Sequence, residues 1–186
     1  YLPPTSPEPH CLILINVDPG SALDNTGCHS QGFPMHEITN FMTRDHRSCD
    51  DCLVAAEQAV SDGAWDVART GFARFREAML AHFSAEESLL FPLFEQQTGM
   101  YRGPTQVMRG EHAQMRQLLV AAESALAESD AEDYAGYAET LLIMMQQHNV
   151  KEENVLYPMC DQHLADQLGE LLPQLEQRTG SDRVAG

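Results

Sequence analysis

The chain has 186 residues, 43% of them hydrophobic, and 28 Asp and Glu against 11 Lys and Arg give a formal net charge of −17. That length supports one domain with a core of its own and some additional segments. The acidic balance argues against nucleic acid and anionic membrane surfaces as partners, and no apolar run approaches the length of a bilayer span.

Residues 1–34 are rich in Pro, Gly and Ser and contain one short β-like run, CLILINV at Cys11–Val17. They read as an irregular N-terminal extension, expected to pack over one end of the following domain and to control access to it. The stretch lacks the basic flank and cleavage pattern of a signal peptide. The five cysteines are odd in number and fit no framework spacing, so reduced thiols and a cytoplasmic setting are expected. His10, Cys11, Cys28, His29 and His36 fit no zinc-site spacing either.

From His36 the pattern changes to apolar residues at three- and four-residue spacing, with Ala, Glu, Gln, Leu and Met between them. Breaks at Ser61–Gly63, Thr98–Pro104 and Glu128–Asp133 divide it into helices over 36–60, 64–97, 104–127 and 131–161. A shorter helix over 164–178 follows, with Pro173 weakening its middle. The expected fold is all-α: an up-down four-helix bundle over 35–180 with a short C-terminal helix.

The bundle is written twice. An offset of 66 residues carries His82 onto His148, Glu86 onto Glu152, Glu87 onto Glu153, Phe91 onto Tyr157 and Pro92 onto Pro158. One helix earlier it carries Met42 onto Met108, Asp45 onto Glu111, His46 onto His112 and LVAAE at Leu53–Glu57 onto LVAAE at Leu119–Glu123. Two repeated helical hairpins, related by a pseudo-twofold axis, follow from this.

A shared core explains matched Leu and Ala but not matched His and Glu. Positions i and i+4 share a helix face, so His82 with Glu86, and His148 with Glu152, point the same way. Counting from the hairpin turns puts His46 level with His82 and His112 level with His148. Six ligand-type side chains then converge: His46, His82, Glu86, His112, His148 and Glu152. Four imidazoles and two carboxylates buried together need a cation. A pair of divalent ions, each taking two His nitrogens and sharing both Glu, meets that need, with a bridging oxo, hydroxo or water as a fifth ligand. Mixed N/O ligation with an open position suits iron, then manganese; zinc, which favours four-coordination, is least apt.

The segments DHR (Asp45–Arg47), HFSAE (His82–Glu86), EH (Glu111, His112) and HNVKE (His148–Glu152) resemble the hemerythrin-like, or HHE cation-binding, family over roughly residues 35–165. The resemblance implies a four-helix bundle holding a non-haem di-iron centre bridged by carboxylates. The oxygen-carrying hemerythrins place a further His four residues after the third-helix His; here Arg116 stands there, and Asp50 in the repeat. The pattern of four His and two Glu is more similar to the di-iron proteins that repair iron centres and to bacterial hemerythrin-like stress proteins. The cysteine-pair N-terminal domain of the repair proteins is not evident.

The other polar residues have simpler readings. Glu87 and Glu153 sit on a shifted face, solvated or hydrogen-bonded to ligands, with replacement of a neighbouring ligand as the alternative. Asp45 and Glu111 are expected to be exposed. Asp50 and Arg116 face the site and are expected to form an ion pair or hydrogen bonds that orient ligands, with Asp50 as an additional ligand the alternative. Cys49 and Cys52 read as core packing, and Phe91, Pro92, Tyr157 and Pro158 as core and helix bending. The function expected is binding or sensing of a small diatomic ligand, O2 or NO, in oxidative or nitrosative stress. A di-iron oxidase, peroxidase or NO-consuming reductase, and an iron donor for repair of iron–sulfur centres, are the alternatives.

Overall fold

The computed structural model describes residues 36–180, which are helical apart from the short connections between elements. Helix α1 spans Glu37–Ser61, α2 Trp65–Ala85, α3 Phe91–Thr98, α4 Pro104–Glu128, α5 Ala131–Lys151, α6 Tyr157–His163 and α7 Leu168–Thr179. A π-helical turn, Glu86–Leu90, joins α2 to α3 without a break, and a second, Glu152–Leu156, joins α5 to α6. The four long helices expected from the spacing are therefore α1, α2–α3, α4 and α5–α6, and α7 is the short C-terminal helix. The readings made for residues 1–34 lie outside the described residues.

Each helix buries the stripe that its apolar spacing predicts. In α1 this is Ile38, Phe41, Met42, Cys49, Leu53, Ala56 and Ala59, with Asp45 and His46 inside the same stripe. Helix α4 buries Met108, Met115, Leu119, Ala122 and Ala125, with His112 among them. Local chemistry sets the ends. Gly63 and Gly99 take left-handed backbone (φ +69° and +74°), which a residue with a Cβ adopts only at a cost. Pro104 opens α4 at a position where no N–H is needed. The Asp130 carboxylate accepts the backbone N–H groups of Glu132 and Asp133 at the start of α5.

Helices α1 and α2 form one antiparallel hairpin and α4 and α5 the other. Their apolar side chains make two separate cores. One, toward the hairpin turns, holds Leu53, Phe72, Phe75, Leu119, Leu141 and Met145. The other holds Ile38, Met42, Leu90, Phe94, Met108 and Leu164, and is closed by Leu168, Leu171 and Leu175 of α7. Helix α7 runs through Pro173 without ending there and packs on α1 and α2. Between the two cores lies a layer of buried His and Glu.

The π turns answer to the prolines. A proline lacks the N–H that an α-helix needs, and its ring meets the carbonyl four residues back. Pro92 and Pro158 each stand two residues after a π turn, where the chain has widened. The N–H of Phe91 bonds to Glu86 O, and that of Tyr157 to Glu152 O, five residues back in both cases.

The start of α1 is held from a distance. Asp161 of α6 accepts the backbone N–H of Ile38 (2.8 Å) and of Thr39 (3.2 Å) and the Thr39 hydroxyl (2.6 Å). Asp161→Ala strands those first-turn donors in a buried place and is expected to lower stability by about 2 kcal/mol in urea unfolding. A midpoint equal to the parent's would show that solvent replaces the carboxylate there.

Candidate metal centre

Glu86, His112 and Glu152 are 0% exposed, and His46, His82 and His148 are buried. The six residues expected to converge do so. His46 Nε2 and His82 Nε2 lie 3.1 Å apart, and so do His112 Nε2 and His148 Nε2. Glu86 Oε2 stands 3.4 Å from His82 Nε2 and 3.3 Å from His112 Nε2. Glu152 Oε2 is 3.3 Å from His46 Nε2, and its Oε1 is 3.2 Å from His148 Nε2. Each glutamate thus reaches one histidine of each hairpin.

The outer nitrogens are as ordered as the inner ones. The Nδ1–H groups of His82 and His148 donate to Asp45 (2.8 Å) and Glu111 (2.9 Å), each within its own hairpin. Those of His46 and His112 donate to Glu153 (2.9 Å) and Glu87 (2.8 Å), each on the opposite hairpin. A carboxylate on Nδ1 fixes the ring and turns the Nε2 lone pair inward, the arrangement found behind metal-ligating histidines. Asp45 and Glu111 are therefore not exposed, contrary to the expectation from sequence. Asp45 is only 8% exposed, because the buried stripe of α1 is wide enough to include the residue before His46. The signal was present in the repeat, since both pairs of acceptors obey the 66-residue offset.

Arg116 does form an ion pair, but its partner is Glu87, through both guanidinium nitrogens at 2.9 Å. Its mate Asp50 faces Glu153 and His46 instead; burial and the charge of Asp51 and Glu153 raise its carboxyl above the usual range, against the pull of His46. Lys151 pairs with Glu111, and the offset gives it no counterpart but Ala85. Burial alone would raise Glu87, yet its bonds to His112 and Arg116 hold it at about 2.

One contributor was missed. Tyr157 donates its hydroxyl toward Glu86 Oε1 and Glu152 Oε2, both at 2.8 Å. An uninterrupted helix of about 3.6 residues per turn would put Tyr157, nine residues past His148, on the opposite face. The second π turn absorbs one residue and swings it back inward, so that Glu152 and Tyr157 meet at a spacing of five.

The donor set fits a cation. Among the described residues, Glu86 Oε2 and Glu152 Oε1 are buried carboxylate oxygens without a hydrogen-bond partner, although imidazole nitrogens lie beside them. Two bare carboxylates in an apolar sandwich are disfavoured by, on the order of, tens of kcal/mol in an idealised medium. Glu86, His112, His148 and Glu152 offer ligand atoms that all lie within 4.8 Å of one another, and so do His46, His82 and Glu152. Beside them a cavity of about 10 Å³ is lined by Cys49, Met79, Phe83, Met145 and Asn149 together with His46, His82 and His148.

In the metal-free protein, protons must do the neutralising. Burial opposes charge on His46, but Glu152 and Glu153 outweigh it and raise the imidazole to about 10. Burial and the neighbouring Glu152 raise Glu86 to about 8. Both groups bind protons more tightly folded than unfolded. Their stabilising effect is complete below the unfolded values, near 4.5 for Glu86 and 6.5 for His46, and is lost as pH rises through about 8 and about 10. The thermal midpoint of chelated protein is therefore expected to fall between pH 6 and pH 10, and His46→Gln should flatten that decline. A slope unchanged by the substitution would remove His46 as its source.

Comparison with known proteins bears on the same residues. The family model for the hemerythrin HHE cation binding domain matches residues 37–160, a span holding all six inner donors and all four outer carboxylates. Searches of curated proteins and of solved structures gave no match. With well over half its length matched, and the paired His and Glu in place, this chain belongs to the hemerythrin HHE cation-binding domain family.

Proposed function

We propose that this chain holds two iron ions in its His/Glu layer and uses them to bind or sense a small diatomic ligand, O2 or NO, in oxidative or nitrosative stress. The observation that carries the reading is the orientation of the imidazoles: four Nδ1 groups each held by a carboxylate, four Nε2 atoms turned onto two buried glutamates. His46 and His82 would hold one ion and His112 and His148 the other, with Glu86 and Glu152, each beside a histidine of both pairs, shared. Nitrogen and oxygen donors without a thiolate favour iron or manganese over zinc. Iron, when bound, supplies a redox-active coordination position at which O2 or NO can be held.

The chain's own residues supply the rest. The outer carboxylates Asp45, Glu87, Glu111 and Glu153 fix the rings and raise their donor strength. Met79, Phe83 and Met145 keep the adjoining cavity dry. At about 10 Å³ that cavity has room for something the size of a water molecule, which suits a diatomic ligand better than an organic substrate. No helix among the described residues is long and apolar enough to cross a membrane. The described cysteines, Cys49, Cys52 and Cys160, are free thiols, in keeping with a cytoplasmic setting.

Protein purified without air should carry about two irons per chain by metal analysis and change its visible spectrum when titrated with O2 or NO. His82→Ala and His148→Ala should each lose metal; an unchanged metal count in both variants would defeat the assignment. Asp45→Asn keeps all six inner donors but weakens the hold on His82, and should reduce metal affinity by about 10- to 100-fold in a chelator competition.

A further inference from the structure

The repeat that builds the centre is broken at one position inside it. Tyr157 and Phe91 are mates under the 66-residue offset, and both are fully buried. Each ring stands beside a histidine of the opposite hairpin: Tyr157 lies 5.7 Å from His46, and Phe91 lies 6.0 Å from His112. Only Tyr157 brings an oxygen. That oxygen is 2.8 Å from Glu86 Oε1, 2.8 Å from Glu152 Oε2, 3.2 Å from His46 Nε2 and 3.5 Å from His82 Nε2. It stands among the donor atoms, not behind them.

The two donor groups are unequal in a matching way. Among the described residues Glu86, His112, His148 and Glu152 offer atoms all within 4.8 Å of one another on one side, whereas on the other His46 and His82 share that spacing with Glu152 alone, Glu86 reaching His82 Nε2 at 3.4 Å. The phenol oxygen falls on the poorer side, within hydrogen-bond distance of both its imidazole nitrogens and its carboxylate. We propose that Tyr157 is a metal ligand, a further protein donor to the position held by His46 and His82, and that the His112–His148 position has no counterpart.

This rests on the reading of the layer as a di-iron centre. A phenol that only donates to Glu86 and Glu152 finds those carboxylates weakened as acceptors once they share electron density with a cation, and a poorly partnered buried polar atom is unfavourable. Ligation keeps the oxygen satisfied. The O–H bond is exchanged for an O–metal bond, the proton leaves to solvent, and the phenolate offsets one unit of the cation's charge. A hard anionic oxygen suits ferric iron. With it on one side only, the two positions differ electronically, and the higher oxidation state is favoured where Tyr157 binds.

The test uses the full chain loaded with ferric iron. Ferric phenolate absorbs visible light by charge transfer, and Raman excitation within that band enhances the ring vibrations of the bound phenolate. Tyr157→Phe places in this hairpin the residue that the other already carries. It is expected to keep the iron content and helical circular dichroism of the parent while losing both the band and the ring modes. Tyr134→Phe, in the core toward the hairpin turns, should keep both. Fully loaded parent protein without phenolate modes, or Tyr157→Phe with an unchanged band, would overturn ligation and leave Tyr157 as a hydrogen-bond donor that positions Glu86 and Glu152. A parent chain that takes up no iron would defeat the di-iron reading itself, and the proposal with it.

Discussion

Glu86 and Glu152 meet inside an apolar bundle, and the remainder of the structure is arranged around the need to neutralise them. Neither has any exposure to water, and each shares its surroundings with imidazoles from both hairpins. Carboxylates so placed are tolerated only with positive charge beside them, whether as protons or as metal cations. Burial alone would raise Glu152, yet His148 and His46 hold it well below the usual carboxylate range; its neighbour Glu86, buried against that negative charge, is raised. One carboxyl of the pair therefore ionises readily while the other resists, as expected for like charges held close.

The outer carboxylates make the centre a fastening between the hairpins as well as a donor set. Glu153 of the second hairpin holds His46 of the first, and Glu87 of the first holds His112 of the second. Each hairpin thus orients a histidine belonging to the other. Asp45 and Glu111 do the same work within their own hairpins. A two-core bundle with a polar layer between the cores has one vertical register that satisfies every donor, since sliding one hairpin along the other would separate these pairs.

Three departures from twofold symmetry bear on the same layer. Arg116 supports Glu87 and lies over the Phe83 ring, whereas Asp50 offers Glu153 only like charge. Lys151 supports Glu111, whereas Asp45 lacks a lysine at the equivalent place, Ala85. Tyr157 faces His46, whereas Phe91 faces His112. Duplicated backbone geometry with unlike side chains gives two similar but inequivalent halves.

By itself the sequence determined the helices, the duplicated hairpins and the matched inner His and Glu, because each of these is a periodic property. Apolar spacing predicts the buried stripes of α1 to α5. The constant offset of 66 residues picks out His46, His82, Glu86, His112, His148 and Glu152 as a set that core packing does not require. What only the tertiary structure decided are features that depend on helix winding and on what stands across a gap. The spacing rule assumes regular turns, so it cannot foresee that two π turns widen the chain ahead of Pro92 and Pro158 and rotate Tyr157 into the layer. Nor can one helix's pattern tell that Asp45 and Glu111, each next to a histidine on its own helix, meet a histidine of the neighbouring one. Those contacts lie between helices, where local periodicity carries no information.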